Sequence, residues 1–532
     1  MKPALPWSMI ATLLLMPAIC FAHTTPQRSG IGSTDLGKVT NETQANRDRR
    51  GESFFQKTVE DLADPTVPRS ELLRLFKLLE KTLPPGKKQE NIDDPFSERV
   101  FVTQGIKILE RMVREDAEHA KRVTKPLDQL PVKERVAELI FQLRDQSLDK
   151  IVQSDALFAE EPKRGSPDSQ LVAIGLLAAP QLIDALSDMR FTRANLEMHN
   201  AIMLIGWNVR IRTVALGILN KISHRDLMPY KDRAIYSAKD IVDNENAQWQ
   251  DAIANTRKWL MQVEQKGETQ TDLDTISLGG HDAPSVAESM IHASRVDPTE
   301  AIKRGVLAGT EAWEGGALIR LLGRLNPREA VGSGFIKAQM TKGKSLYVRL
   351  ACAKLVGKAD PDAELHALIS EWKKCADLPE VVGNDYSIMD LTDELIVTGR
   401  AEAIDAMADP AYSRAPSRRQ LVLDCLERVR FGQAHNWEEI RTPTSPAAFK
   451  ASVERFLVAE LSDMGQYDGG WSAPGGSNPV NPRLRDVAAD SLAAFRPDEY
   501  RFTITAPLAE RNRQISKCQM TWRLEHPKGR SN

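Results

Sequence analysis

The chain has 532 residues, of which 42% are hydrophobic, enough for one long array or for two or three domains with sizeable cores. Its 71 Lys and Arg nearly balance 73 Asp and Glu, and the net charge of −2 excludes a general electrostatic case for nucleic acid or an anionic membrane as partner. Aromatic residues are only 6%, a composition that fits helices built on Ala and Leu.

Residues 1–22 read as a secretory signal peptide. Lys2 supplies a thin charged start, Met9 to Ile19 an apolar stretch too short to span a bilayer, and Ala22 a small residue at the cut. Ile19 precedes Cys20 where a lipobox needs a small residue, so lipidation is not expected. No later stretch reaches the ~18 apolar residues of a spanning helix. The mature protein is therefore expected to be exported, periplasmic or extracellular, with no membrane span. Residues 23–51 are polar, a flexible leader to the fold.

Residues 52–264 read as an N-terminal helical half. Leu72, Leu75, Phe76 and Leu79 share one helical face, and Phe101 to Val113 and Val132 to Leu143 repeat that spacing. The most ordered stretch runs from Leu171 to Ile222. A helix carrying Pro180, Leu182, Ile183, Ala185, Leu186 and Asp188 is followed by a polar interval, then by a second with Ile211, Val214, Ala215, Ile218 and Ile222 on one stripe.

This pair recurs. Ile211-Arg212 with Ala215 and Leu219 is echoed by Val348-Arg349 with Cys352 and Val356, and by Leu484-Arg485 with Ala488 and Leu492. The preceding Leu186-Ser187-Asp188-Met189 returns as Leu461-Ser462-Asp463-Met464. The copies of the second helix are spaced by about three repeats of ~45 residues each. The pattern resembles HEAT-type repeats, in which the second helix opens on a branched aliphatic residue, an Arg and then a small residue. That resemblance implies that Arg212, Arg349 and Arg485 are structural, bonding to the neighbouring repeat. Small residues at Ala215, Cys352 and Ala488 would let the two helices of a unit approach, and stacking would bury what one pair cannot.

Trp249 and Trp259, on the helical stretch that follows, read as core fillers. Residues 265–284 are polar, contain Gly279-Gly280 and lack a period, so they are expected to be a linker between two halves. In the second half, 285–532, Asp297-Pro298, Asn326-Pro327, Asp360-Pro361 and Ser445-Pro446 each place a capping residue before a Pro at a helix start. Strand signals are scarce. A last helix, Ala506 to Trp522, would cap the array. Arg485 to Phe495 and the following PLAERNRQI resemble the end of exported bacterial HEAT-like proteins, a resemblance that carries no activity with it.

The expected fold is thus all-α, an α-solenoid of degenerate HEAT-like helix pairs in two halves. No catalytic residues and no cofactor or metal site are expected. The nine His are scattered without a zinc spacing, Asp272-Leu273-Asp274 lacks the Gly and distal Glu of a calcium loop, and Ser147 to Lys150 is a common tetrapeptide beside charged helix surface. Cys352, in the slot filled elsewhere by Ala, is expected to be a buried thiol. One stretch points another way: Phe456 to Trp471 runs a helix into Gln466, Asp468, Gly469, Gly470 and Trp471. It resembles the repeat motif of α/α-toroid enzymes of the squalene–hopene cyclase type, although the Gln lies one residue too close and no Asp-x-Asp-Asp acid is present. The alternative function is such an enzyme, acting on a polymeric or lipid substrate outside the cytoplasm.

The function expected first is a non-catalytic scaffold whose partner is a protein, not nucleic acid. Its binding surface is expected on two long intervals, Arg190 to Trp207 and Gly465 to Pro482, which depart from a compact unit in the same way. Tyr467, Asp468 and Trp471 on one, and Trp207 with Phe191, Arg193 and His199 on the other, are the candidate contacts.

Overall fold

The computed structural model describes residues 54–55, 57–83, 98–122, 125–146, 165–200, 203–228, 238–294, 296–309, 312–327, 332, 334–375, 386–413, 415–430, 445–467 and 482–527. The stretches expected as a signal peptide and a polar leader, 1–22 and 23–51, lie outside them. The protein is mostly helical, and among the described residues no helix is long and apolar enough to cross a membrane. It divides into two compact units, Met1–Thr271 and Asp272–Asn532.

The first unit contains α1 (Arg69–Thr82), α2 (Glu98–His119), α3 (Val132–Gln142), α4 (Pro167–Ile174), α5 (Ala179–Ala185), α6 (Ile211–Ser223) and α7 (Ala238–Lys266). Apolar residues at helical spacing explain why α1 forms and which face it buries. Leu72, Phe76 and Leu79 are buried and pack on Val102, Leu109 and Met112 of α2. A second cluster joins Val136 and Leu139 of α3, Leu182 of α5, Ile211, Ala215 and Leu219 of α6, and Trp249 and Trp259 of α7. Gly175, in the left-handed region, separates α4 from the short turn leading to α5.

Between α5 and α6 the structure differs from an all-α expectation. Strands β1 (Phe191–Asn200) and β2 (Met203–Arg210) form an antiparallel hairpin in which Leu196 pairs with Trp207 and Met198 with Ile205. The period-two placement of Leu196 and Met198, and of Ile205, Trp207 and Val209, carries this signal. On each strand the alternation is short, so it is weak in the sequence.

The stretch expected as a linker, 265–284, contains a helix, α8 (Glu268–Leu278), and also the division between the two units, which falls inside that helix. Its polar composition hides one apolar edge, where Ile276 is fully buried and Leu273 packs beside it. Gly267 and Gly279, both at positive φ, bracket the helix. Gly279 and Gly305 also meet backbone to backbone, so a Cβ on Gly305 would fall on the Ile276 carbonyl.

The second unit continues with α9 (Ala283–Ala293), α10 (Thr299–Ala308), α11 (Ala312–Leu325), α12 (Gly334–Lys342), α13 (Leu346–Gly357), α14 (Pro361–Cys375), α15 (Tyr386–Val397), α16 (Ala401–Ala408), α17 (Pro416–Arg430), α18 (Pro446–Glu460), α19 (Leu484–Phe495) and α20 (Leu508–Glu525). The main helix packing here is between helices next to each other or one apart in chain order, such as α13 on α14, α16 on α18 and α17 on α19. Helix α13 is buried on several sides. Val348, Cys352 and Leu355 join the cluster with α9 to α12, and Leu350 and Ala353 join the one with α14 to α20.

Punctuation follows local chemistry. Asp360 Oδ1 accepts from the Ala363 backbone N–H (3.0 Å), capping α14 just before Pro361. Asp297 Oδ1 accepts from Thr299 N (2.9 Å), one residue outside the start expected there. Pro446 opens α18 after Ser445, whereas Arg328 and Glu329, which follow Asn326-Pro327, lie outside the described residues.

Candidate functional site

The two intervals singled out in the sequence leave the helical framework through the same structure. In the first unit, after α5, Asp188 Oδ1 accepts from the Arg190 backbone N–H (3.0 Å). The carbonyls of Asp188 and Arg190 then accept from Arg212 N (3.0 Å) and Ile211 N (3.0 Å) at the start of α6. In the second unit, after α18, Asp463 Oδ1 accepts from Gly465 N (2.7 Å). The carbonyls of Asp463 and Gly465 accept from Arg485 N (3.2 Å) and Leu484 N (2.9 Å) at the start of α19.

The likeness extends into the excursions. Phe191 pairs with Arg210 at the base of the hairpin, and Gln466 forms a β-bridge with Arg483. One step further out, Thr192 Oγ1 donates to the Val209 carbonyl (2.7 Å), while Tyr467 N donates to the Pro482 carbonyl (3.0 Å). Each root is thus a short antiparallel ladder clamped by an Asp-centred turn. The middle copy of the pair has no excursion. Only Gly343 to Ser345 separate α12 from α13, and Ser345 Oγ caps the latter by accepting from Val348 N (3.2 Å).

The repeated arginines all reach toward the helix that follows their own. The Arg212 guanidinium lies over the Trp249 ring of α7, 4.4 Å from its centre. Arg349 pairs with Glu371 of α14 (2.9 Å) and donates to the Gly343 carbonyl (2.7 Å). Arg485 Nη2 donates to Asn512 Oδ1 of α20 (2.6 Å). The chemistry of the partner differs in each copy.

The expected contact residues fare differently. Tyr467 is half-buried and its hydroxyl donates to Asp424 Oδ1 of α17 (2.6 Å). Trp207 sits on β2 opposite Leu196. Asp468 and Trp471 lie outside the described residues, as do Gly469 and Gly470 of the stretch that resembles toroid enzymes. Phe191 and Arg193 do not offer a surface. Phe191 is buried against Phe76 and Phe101, and Arg193 is buried with its guanidinium donating to the carbonyls of Leu62 (3.1 Å) and Val67 (2.8 Å). Burial, with Arg69 nearby, pushes the Arg193 guanidinium below its usual range. Inward residues at the base of a strand pair close the core beneath it, and these two candidate contacts face that core.

Charge is concentrated around the first root. Arg190 binds Asp188 and Glu115 (2.6 Å to the latter), and Arg144, its side chain fully buried, pairs with Glu115 (3.3 Å) and Asp116 (2.8 Å). Burial pushes Glu115 up, but hydrogen bonds from Arg190 and Arg111 outweigh it and leave the carboxyl below its ordinary value. The same balance, in the opposite sense, raises Arg190. Phe141 is stacked by the His119 ring and also lies 3.5 Å from the Arg144 guanidinium.

The second root is built differently. Asp486 is fully buried and accepts from the Arg483 backbone N–H (3.0 Å), from Arg483 Nε (2.9 Å) and from Arg511 Nη1 (2.6 Å). Arg483 Nη2 also donates to Asn512 Oδ1 (2.9 Å). Sequence reading missed Arg210 and Arg483, although Arg210-Ile211-Arg212 and Arg483-Leu484-Arg485 extend the repeat by one residue in the two copies with an excursion. Arg511 and Asn512 carry no such signal. Among the described residues no group of three or more His, Cys, Asp or Glu side chains could hold a metal ion.

These features define a mostly helical protein with an internally repeated helix–excursion–helix element, one copy in each unit. No known protein family, curated protein or solved structure matches the chain.

Proposed function

We propose that the protein is an exported, non-catalytic scaffold, an α-solenoid of HEAT-like helix pairs whose two excursions are arms for binding a partner protein. The observation that carries this reading is the matched root in the two units. The same Asp-centred turn and the same pair of backbone hydrogen bonds stand at the start of each excursion. Packing between helices close in chain order supports the repeat-array part of the reading. A rigid root on a longer arm is a suitable design for recognition, since the helices hold the base while the arm varies. The signal-peptide pattern of residues 1–22 supports export.

The test uses a photo-crosslinkable residue at Trp207, at Trp471 or, as control, at the exposed helical position Arg523. One and the same protein adduct from the two arms, and none from the control, is the expected result. The reading fails if the control gives the same adduct. It also fails if replacing residues 468–481 by a short Gly-Ser link leaves the Trp207 adduct and binding of the captured protein unchanged. Sequencing the mature N-terminus and fractionating the producing cell test export separately.

A further inference from the structure

We infer that the base of the second arm is an anion site, formed by Arg483, Arg485, Arg511 and Asn512, that takes a phosphate dianion, free or as a monoester head group. Two guanidiniums, those of Arg483 and Arg511, bind the one carboxylate of Asp486, and Arg485 stands beside Arg483 on Asn512. Asp486 is already saturated by Arg483 and Arg511, so it leaves a surplus of positive charge. What holds Arg483 and Arg485 side by side is a neutral atom. Asn512 Oδ1 accepts from Arg483 Nη2 at 2.9 Å and from Arg485 Nη2 at 2.6 Å. An amide oxygen cannot offset the repulsion between two cations that share it.

The consequence is visible in Arg485, whose guanidinium is pushed below its usual range by burial and by its neighbours Arg483 and Arg511. Arg485 and Arg511 each also bury an Nε–H that has no acceptor. Asn512 is exposed and Arg483 and Arg485 are half-buried, so an anion can reach the cluster from solvent.

The corresponding arginines of the first unit are placed differently. There Arg210 and Arg212 occupy the positions of Arg483 and Arg485, but they lie over the rings of Phe191 (3.8 Å) and Trp249 (4.4 Å). Aromatic faces accommodate each cation singly. In the second unit the two are turned toward one point instead. The charge on that point selects the ligand. A phosphate carries about −1.5 to −2 near neutral pH and several acceptor oxygens, which matches a double surplus better than a single carboxylate does.

Equilibrium dialysis of the full chain against labelled inorganic phosphate, at constant ionic strength in chloride, tests this. One saturable site is expected, with glycerol phosphate competing if the site takes monoesters and failing to compete if it takes only the free ion. Acetate should compete at least tenfold less well. Arg485→Met should weaken phosphate binding at least tenfold. Because that variant could lose stability, Asn512→Asp supplies a second arm by placing a carboxylate on the shared oxygen position. It should abolish phosphate binding and raise the melting temperature above that of the parent. The inference is overturned by absence of saturable binding, by acetate competing as well as phosphate, or by Asn512→Asp binding phosphate like the parent. None of these outcomes depends on whether the arms bind a protein.

Discussion

The backbone N–H of Arg485 donates to the carbonyl of Asp463 across the mouth of the second excursion, at 3.2 Å. Arg212 does the same to Asp188 in the first unit, at 3.0 Å. A backbone bond of this kind needs no particular side chain on either residue. The Asp is nonetheless the same in both, because its Oδ1 turns the chain by accepting from the N–H two residues on. The Arg is the same because its side chain leaves α6 or α19 toward the next helix.

Asp188 also binds the Arg190 guanidinium through both carboxylate oxygens, with distances of 2.5–3.0 Å. Asp188→Ala should therefore destabilise the first unit by about 2–3 kcal/mol, the scale of a lost charged hydrogen-bond pair in a partly buried place. Asp188→Asn keeps the turn and should cost less. Urea unfolding of both variants measures the difference, and equal losses would show that the turn contributes nothing beyond charge.

Arg212 stands over a ring that is itself buried, which sets its contribution. Arg212→Ala should cost about 1–2 kcal/mol, and a double-mutant cycle with Trp249→Leu should return a coupling of about 0.5–2 kcal/mol. A coupling of zero would leave the ring contact without energetic weight.

Glu460 gives a pH signature. Burial, with Asp463 beside it, lifts its carboxyl from 4.5 to about 7 despite the opposing pull of Arg419. The folded chain thus keeps a proton that the unfolded chain releases between those values. Stability from this group is full below about pH 4.5 and is lost as the pH rises through about 7. Glu460→Gln should flatten the fall in stability over that window and be more stable than the parent at pH 8. An unchanged slope in urea-unfolding curves from pH 5 to 8 would contradict the assignment.

Cys352 is fully buried, and burial pushes its thiol up to about 12. Both effects suppress the thiolate, so a disulfide reagent at pH 8 should modify Cys352 only after denaturant is added. Rapid native labelling, located by peptide mapping, would place this helix face outside the core.

Tyr467 tests the second root. Its hydroxyl joins the excursion to Asp424 of α17, so Tyr467→Phe should cost about 1–2 kcal/mol in unfolding free energy while leaving the helical circular dichroism unchanged. No loss of stability would mean that the excursion is not fastened there.

What the sequence alone determined is the helical periodicity, much of the helix punctuation and the repeated pair. Those are local properties: a stripe at 3.6-residue spacing and an Asp before a Pro act within one or two turns. The sequence also marked both excursions, because the Asp and Arg on either side of them recur. It did not show the hairpin, whose period-two pattern is short, nor α8, whose apolar edge is Leu273 and Ile276 between two glycines. Tertiary structure alone decided which partner each repeated Arg meets. Trp249, Glu371 and Asn512 lie on later helices at unrelated sequence distances, so no local pattern could pair them with Arg212, Arg349 and Arg485. It also decided that Phe191 and Arg193 turn inward, since a strand's buried face is fixed by the helices beneath it. The surplus of charge at Arg483, Arg485 and Arg511 arises in the same way, when the packing of α20 on α19 brings a third guanidinium to the two already at the root.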